Sequence, residues 1–231
     1  MLVDLNIFQK KILIIGGGRE TTRKVQGLTG QGAQLIFIAS AFHPKLEEHL
    51  ENENYQLITE TLSDASRIEA FFPCYMVLAT TDDKALNRSI INAAKATDAY
   101  VYSVDDPEYS DFSHPAVINF KNSVRLALST NGKSPLMARK LRESLESALP
   151  DLISELDLLQ IRLQSEIREE AKTVLSSAEQ RKSFLQLLQE NPAIQKQLSQ
   201  NQFNTARDLA LALLREYSLP ERVVNSGKIE E

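Results

Sequence analysis

The feature that most constrains the fold is an apolar run, Ile12 to Ile15, that passes straight into Gly16, Gly17 and Gly18. An amphipathic stretch carrying Val25 and Leu28 follows at once. Strand, tight turn and helix in this order let glycines reverse the chain sharply. They also let backbone N–H groups approach a pyrophosphate, whose charge is favoured at a helix N-terminus. A bare β–α turn that holds no ligand has the same outline. The third position of the G-x-G-x-x-G/A pattern is Thr21, larger than usual, and the acidic residue expected near the end of the second strand is missing, since the chain there reads Ile38-Ala39-Ser40-Ala41. The choice between NAD and NADP therefore stays open.

Short apolar runs at Ile12–Ile15, Gln34–Ala39, Tyr55–Thr59, Tyr75–Ala79 and Tyr100–Val104 alternate with helix-length segments. That alternation predicts a parallel sheet covered on both faces, an α/β Rossmann-like doubly wound domain over 1–113. Ala116–Ile118 and Val124–Ser129 read as two further strands, with Lys121 and Asn122 in a turn between them. From Ser134 onward the pattern is helical. Ser134 is a cap, Pro135 suits a first turn, and Leu136, Met137, Leu141, Leu145 and Leu149 recur at helical spacing until Pro150. This predicts a helix over 134–149 closing a segment 114–149, then an all-helical part over 150–224 and a frayed tail at 225–231.

A chain of 231 residues with 42% hydrophobic and 25% charged residues is neither disordered nor fibrous. Its apolar runs fall far short of the roughly 20 residues needed to span a bilayer, and no basic stretch leads into an apolar one at the N-terminus. The expectation is a soluble protein with no membrane partner. Cys74 is the single cysteine, which excludes an intramolecular disulfide and fits a reducing cytoplasm. A net charge of −5 argues against nucleic acid as a bulk partner.

In open α/β sheets ligands bind beyond the carboxyl ends of the strands, which places Thr80, Thr81 and Asp82 at one end and Asp105 and Asp106 at the next, facing a cofactor cleft. Thr80 and Asp82 also suit capping of the helix that begins near Asp83. Aspartates before Pro107 suit a turn, or one of them a general base. Between Phe112 and Arg142 there is no acid, yet Lys121, Arg125, Lys133, Arg139, Lys140 and Arg142 all occur. Such an excess suits a ligand with several carboxylates or phosphates, and equally a helix face whose partners lie elsewhere. Ser129, Thr130, Asn131, Gly132 and Lys133 add hydroxyl and backbone donors beside a helix start, although the spacing is not that of a P-loop. His114 stands alone and reads as structural rather than as a metal ligand.

The ordered string of motifs resembles the precorrin-2 dehydrogenase family, the dehydrogenase and ferrochelatase module that makes sirohydrochlorin and siroheme. The matching pieces are Lys11 through Gly18, Arg23-Lys24, Ala79 through Asp83, Val104 through Pro107 with Asp111-Phe112, Pro115-Ala116, Ser129 through Pro135, and Ala138 through Arg142. The likeness covers about residues 5 to 149. It implies an NAD-binding domain, a central dimerisation segment, a helical C-terminal part and a homodimer with active sites formed between subunits.

On these positions Gly16, Gly17, Gly18, Arg19, Glu20, Ser40, Thr80, Thr81 and Asp82 would border NAD, with NADP not excluded. Asp105 matches the catalytic aspartate and would be a transient ligand for ferrous iron, itself a substrate. His114, Ser129, Thr130, Asn131, Gly132, Lys133 and Arg139 would receive the acidic tetrapyrrole. The family usually has a valine–alanine pair where this chain has Glu20 and Thr21. A carboxylate there opposes a pyrophosphate unless it pairs with Arg19 or Arg23. Glu20 and Thr21 also motivate a competing reading, a non-catalytic NAD-sensing regulatory or tetrapyrrole-carrier protein. The length leaves no room for the methyltransferase domain fused to some relatives.

Overall fold

The computed structural model describes residues 2–51 and 53–219. The tail expected at 225–231, and the end of the helical part at 220–224, lie outside the described residues. The chain divides between His114 and Pro115 into two compact units.

The first unit is a five-stranded parallel sheet built from β1 (Lys11–Ile15), β2 (Gln34–Ala39), β3 (Asn54–Thr59), β4 (Met76–Ala79) and β5 (Tyr100–Ser103). The strands lie in the order β3-β2-β1-β4-β5. Helices α1 (Arg19–Val25), α2 (Lys45–Leu50) and α3 (Lys84–Lys95) and a 3₁₀ turn at Ser66–Phe71 connect them. Successive residues of a strand point to opposite faces. Leu13 and Ile15 therefore pack with Ile90 and Ile91 of α3, whereas Ile12 and Ile14 pack with Val25, Leu46 and Leu50 of α1 and α2. Both faces are covered, which explains strands without polar alternation. The order reverses between β1 and β4. Ile15 is level with Ile38 on one side and Ala79 on the other, so the carboxyl ends of three strands meet at one rim.

The second unit opens with an antiparallel hairpin, β6 (Ala116–Phe120) and β7 (Val124–Leu128), in register from Ala116 opposite Leu128 to Phe120 opposite Val124. Lys121 and Asn122 turn the chain at φ +48° and +55°, and the Ser123 N–H donates to the Phe120 carbonyl at 3.1 Å. Helix α4 (Pro135–Leu152) starts on Ser134, whose hydroxyl accepts from the Met137 N–H. It runs through Pro150, where the sequence predicted its end. A proline in the last turn removes one N–H donor and leaves the preceding hydrogen bonds intact. Helices α5 (Glu155–Val174), α6 (Ala178–Glu190), α7 (Pro192–Ser199) and α8 (Phe203–Ser218) follow. Capping boxes at Ser154/Asp157 and Ser177/Gln180 begin α5 and α6. The helices close around Leu163, Ile167, Phe184, Leu188, Ile194, Ala210 and Leu214. Among the described residues no helix is long and apolar enough to cross a membrane.

Candidate functional site

The three glycines differ in what holds them. Gly16 sits at φ +122°, and a Cβ there would come within 2.5 Å of Thr80 Oγ1 and 2.7 Å of the Thr80 carbonyl oxygen. A Cβ on Gly17 would stand 2.2 Å from the Ala41 carbonyl oxygen. Both positions are fixed by the close approach of β1 to its neighbours. Gly18 is different: a Cβ there meets nothing within 4 Å, and the residue borders a cavity of about 570 Å³ at the carboxyl rim of the sheet. That volume lies within the range of small-molecule and cofactor sites. Open space against backbone at the start of α1 suits a pyrophosphate, so the residues present fit a dinucleotide.

The cavity is lined by all nine residues expected at the cofactor, Gly16, Gly17, Gly18, Arg19, Glu20, Ser40, Thr80, Thr81 and Asp82. Glu20 is drawn to Arg23, whose guanidinium stands 2.6 Å from its carboxylate, which offsets the charge beside the glycine turn. Thr21 is fully buried, and its hydroxyl lies 2.8 Å from that of Thr80, which in turn donates to the Ile15 carbonyl at 2.9 Å. The larger third residue of the glycine pattern is thus accommodated by a partner directly after β4.

Replacing Thr80 by Val strands the Thr21 hydroxyl in a dry interior at a cost of about 1–3 kcal/mol. The double change Thr21→Ala with Thr80→Val should cost less than the sum of the singles. Urea unfolding of the four proteins measures this, and simple additivity would refute the coupling.

Neither Thr80 nor Asp82 caps α3. Asp83 does, its carboxylate accepting from the N–H groups of Ala85 at 2.8 Å and Leu86 at 3.0 Å. Thr81 instead donates to Asn87 Oδ1 at 2.7 Å. Asn87 is fully buried, and its Nδ2 donates to the Thr81 carbonyl at 3.0 Å and to Asp105 Oδ1 at 2.8 Å. It ties the end of β4 to the loop after β5, a role the sequence reading missed. The signal was there: an amide on the α3 stripe that otherwise buries Leu86, Ile90, Ile91 and Ala94.

The two aspartates after β5 have separate tasks. Asp106 pairs with Arg88 and accepts from the Tyr109 N–H at 3.1 Å, the turn chemistry expected before a proline. Asp105 is exposed and accepts from Ser103 Oγ at 2.7 Å as well as from Asn87. Partial desolvation pushes the Asp105 carboxyl up, but these hydrogen bonds, its own backbone N–H and the positive Lys84 outweigh it and hold the group below the usual carboxylate range. Val104, one residue before it, lines the cavity; Asp105 is not among the lining residues.

His114 packs edge-on against Tyr102 at 4.7 Å and Phe112 at 5.5 Å between ring centres. Its Nε2 is buried with no hydrogen-bond partner among the described residues. Burial first, then the nearby Lys24 and Arg23 charges, push its pKa down to about 4. Lys24 lies over the Tyr102 ring at 4.7 Å, its own pKa lowered to about 8 by burial and then by Arg23, against a smaller opposite pull from Glu20. Among the described residues no group of three or more His, Cys, Asp or Glu is placed to hold a metal ion.

In the second unit Asn131 and Gly132 turn at φ +52° and +75°. Ser129 Oγ accepts from the Asn131 N–H, and Thr130 Oγ1 from the Ser134 N–H, both at 3.1 Å. The basic window is partly spent inside the fold. Arg139 reaches Glu143 at 2.9 Å, Arg142 pairs with Glu143 and Glu146, and Lys121 pairs with Glu155. Glu143 and Glu146 lie just past the window on the same helix and Glu155 begins the next one, where a scan ending at Arg142 does not see them.

The sheet order, the glycine turn and the cavity at the switch point define a Rossmann-like dinucleotide-binding protein. The NAD(P)-binding family model matches residues 3–116, and the model for the sirohaem biosynthesis protein central segment matches 125–148. The two matches follow one another along the chain in the order of the two units, and the chain is similar to siroheme synthases over this stretch. The siroheme synthase of Neisseria meningitidis is 31% identical over 78% of this chain, and that of Nitrosococcus oceani 34% identical over 72%. The chain spans 35% of the length of each of these relatives. Among solved structures, SirC, precorrin-2 dehydrogenase, superposes with a TM-score of 0.61 at 20% identity, covering 89% of this chain and 99% of that one, a likeness of fold.

Proposed function

We propose that this protein oxidises precorrin-2 to sirohydrochlorin with NAD as hydride acceptor, as a cytoplasmic homodimer. The carrying observation is the cavity at the strand switch point, bordered by the glycine turn and by Thr80, Thr81 and Asp82, with Asp105 held ionised just beyond Val104. Bound NAD supplies the site that takes up hydride. Gly18 offers its backbone to the pyrophosphate, and Thr80 closes the cavity floor. Asp105, fixed by Ser103 and Asn87, takes the proton released from the ring and, being exposed, passes it to water.

Three carboxylates, Glu20, Glu60 and Asp82, against one guanidinium, Arg19, line the cavity, which favours NAD over the more negative NADP. Lys133 and Arg139, with Ser129 to Gly132 and His114, are proposed to receive the carboxylates of the tetrapyrrole. Asp105 is proposed as a transient ligand for ferrous iron as a further substrate. The exposed Leu136, Met137, Leu141 and Leu145 along α4 support a second copy as the partner.

The test is anaerobic conversion of enzymatically generated precorrin-2 by the purified protein with NAD, with NADP and with neither, on a sample sized by light scattering. Sirohydrochlorin formed only with NAD, by a particle of twice the chain mass, is the expected result. Absence of turnover from folded protein overturns the dehydrogenase reading, and a monomer overturns the dimer.

A further inference from the structure

Glu60 occupies the side of the cavity where the glycine-turn pattern lacks its acid. β2 ends at Ala39 and is followed by Ser40 and Ala41, none of which can accept from a ribose through a carboxylate. β3 runs beside it with Thr59 opposite Ala39, and the Glu60 N–H donates to the Ala39 carbonyl at 2.9 Å. Glu60 therefore leaves the sheet at the rim that Ser40 occupies, and both residues line the same cavity. Arg67, on the 3₁₀ turn, places its Nε 3.1 Å from each Glu60 oxygen, and its guanidinium packs against the Phe71 ring at 5.6 Å. Arg67 is not among the cavity-lining residues. Glu60 borders this cavity and, together with Arg67, a neighbouring one of about 430 Å³, whereas Arg67 borders only the second of the two. One N–H shared by two oxygens leaves lone pairs on both for further donors.

Ligand chemistry follows from that arrangement. A ribose with free 2′ and 3′ hydroxyls brings two donors to a carboxylate that has room for them. A ribose phosphorylated at the 2′ position brings acceptors and negative charge instead. We infer that Glu60 is the specificity-determining residue for the adenosine ribose of the dinucleotide, accepting from its free hydroxyls in place of the missing β2 carboxylate and turning away the 2′-phosphate. This rests on the nucleotide-binding reading above and deepens it by naming the residue that separates NAD from NADP.

The test is isothermal titration of the full chain with NAD and with NADP, in the absence of tetrapyrrole, alongside a thermal melt of each variant. Wild type is expected to prefer NAD, and Glu60→Gln to lose about 10- to 100-fold of that preference, the worth of a hydrogen bond to a charged group. Ser40→Asp added to Glu60→Gln should restore the preference from β2, which repair of a merely structural defect at β3 would not do. Glu60→Asp, the milder variant, should weaken NAD while NADP stays weak. A wild type that prefers NADP overturns the inference, as does a Glu60→Gln or Glu60→Asp protein that keeps the wild-type affinities for both nucleotides. A wild type that binds neither overturns the nucleotide-binding reading itself and this inference with it.

Discussion

Asp105→Asn is expected to lower kcat for precorrin-2 oxidation by about 10²- to 10⁴-fold, the contribution of a positioned proton acceptor, while fold and NAD affinity stay as in the wild type. The substitution keeps the shape that accepts from Ser103 Oγ and Asn87 Nδ2 on one oxygen and removes the charge. Because the carboxyl is held below the usual range, Asp105 is ionised throughout pH 5 to 8, and no acid limb in the rate should trace to it there. Rates measured across that window with saturating NAD decide the matter. Undiminished turnover by the Asn variant would remove Asp105 from the chemistry and leave its hydrogen bonds as loop architecture.

Acid sensitivity should concentrate at His114. Its folded pKa of about 4 lies below the ordinary value of 6.5, so below 6.5 the unfolded chain binds a proton that the native state refuses. Stability from this residue is complete above pH 6.5 and is lost as the pH falls toward 4, in full about 3 kcal/mol. The groups that face it act in one direction: Lys24 and Arg23 add positive charge, while Tyr102 and Phe112 exclude water. Urea unfolding at pH 7.5 and 4.5 should show a loss in the wild type about 2–3 kcal/mol larger than in His114→Phe, since every other carboxylate and histidine titrates alike in both. Equal losses would mean that the ring reaches water or a partner when it is charged.

What could be read in advance was local. Strands buried on both faces show as unbroken apolar runs, so the five parallel strands and the turn at Gly16 to Gly18 were visible within a few residues of one another. Ser134 announced α4 by the same kind of nearby chemistry, whereas Pro150 misplaced its end because one missing donor in a last turn breaks little. Glu60 was missed because nothing near it in sequence is unusual; it becomes part of the rim only through the register of β3 on β2. Asn87 joins Thr81 to Asp105 across separate loops, and Arg139 finds Glu143 one turn on, the first residue past the stretch that looked uniformly basic. The candidate cofactor residues were legible because they follow strand ends, and the partners that tune them were not, because tuning comes from neighbours distant in the chain.

The two buried hydroxyls, Thr80 just past β4 and Thr21 on α1, are not interchangeable in the order of their arrival. A threonine at 80 is already satisfied by the Ile15 carbonyl, with or without its neighbour. Among the described residues the hydroxyl of a threonine at 21 is paired with Thr80. Any stepwise route from small residues to this pair, in a laboratory or a lineage, therefore runs freely when 80 is gained first, and a route away from it runs freely when 21 is lost first. The bridge leaves a single open path in sequence space, through the intermediate that keeps Thr80 alone.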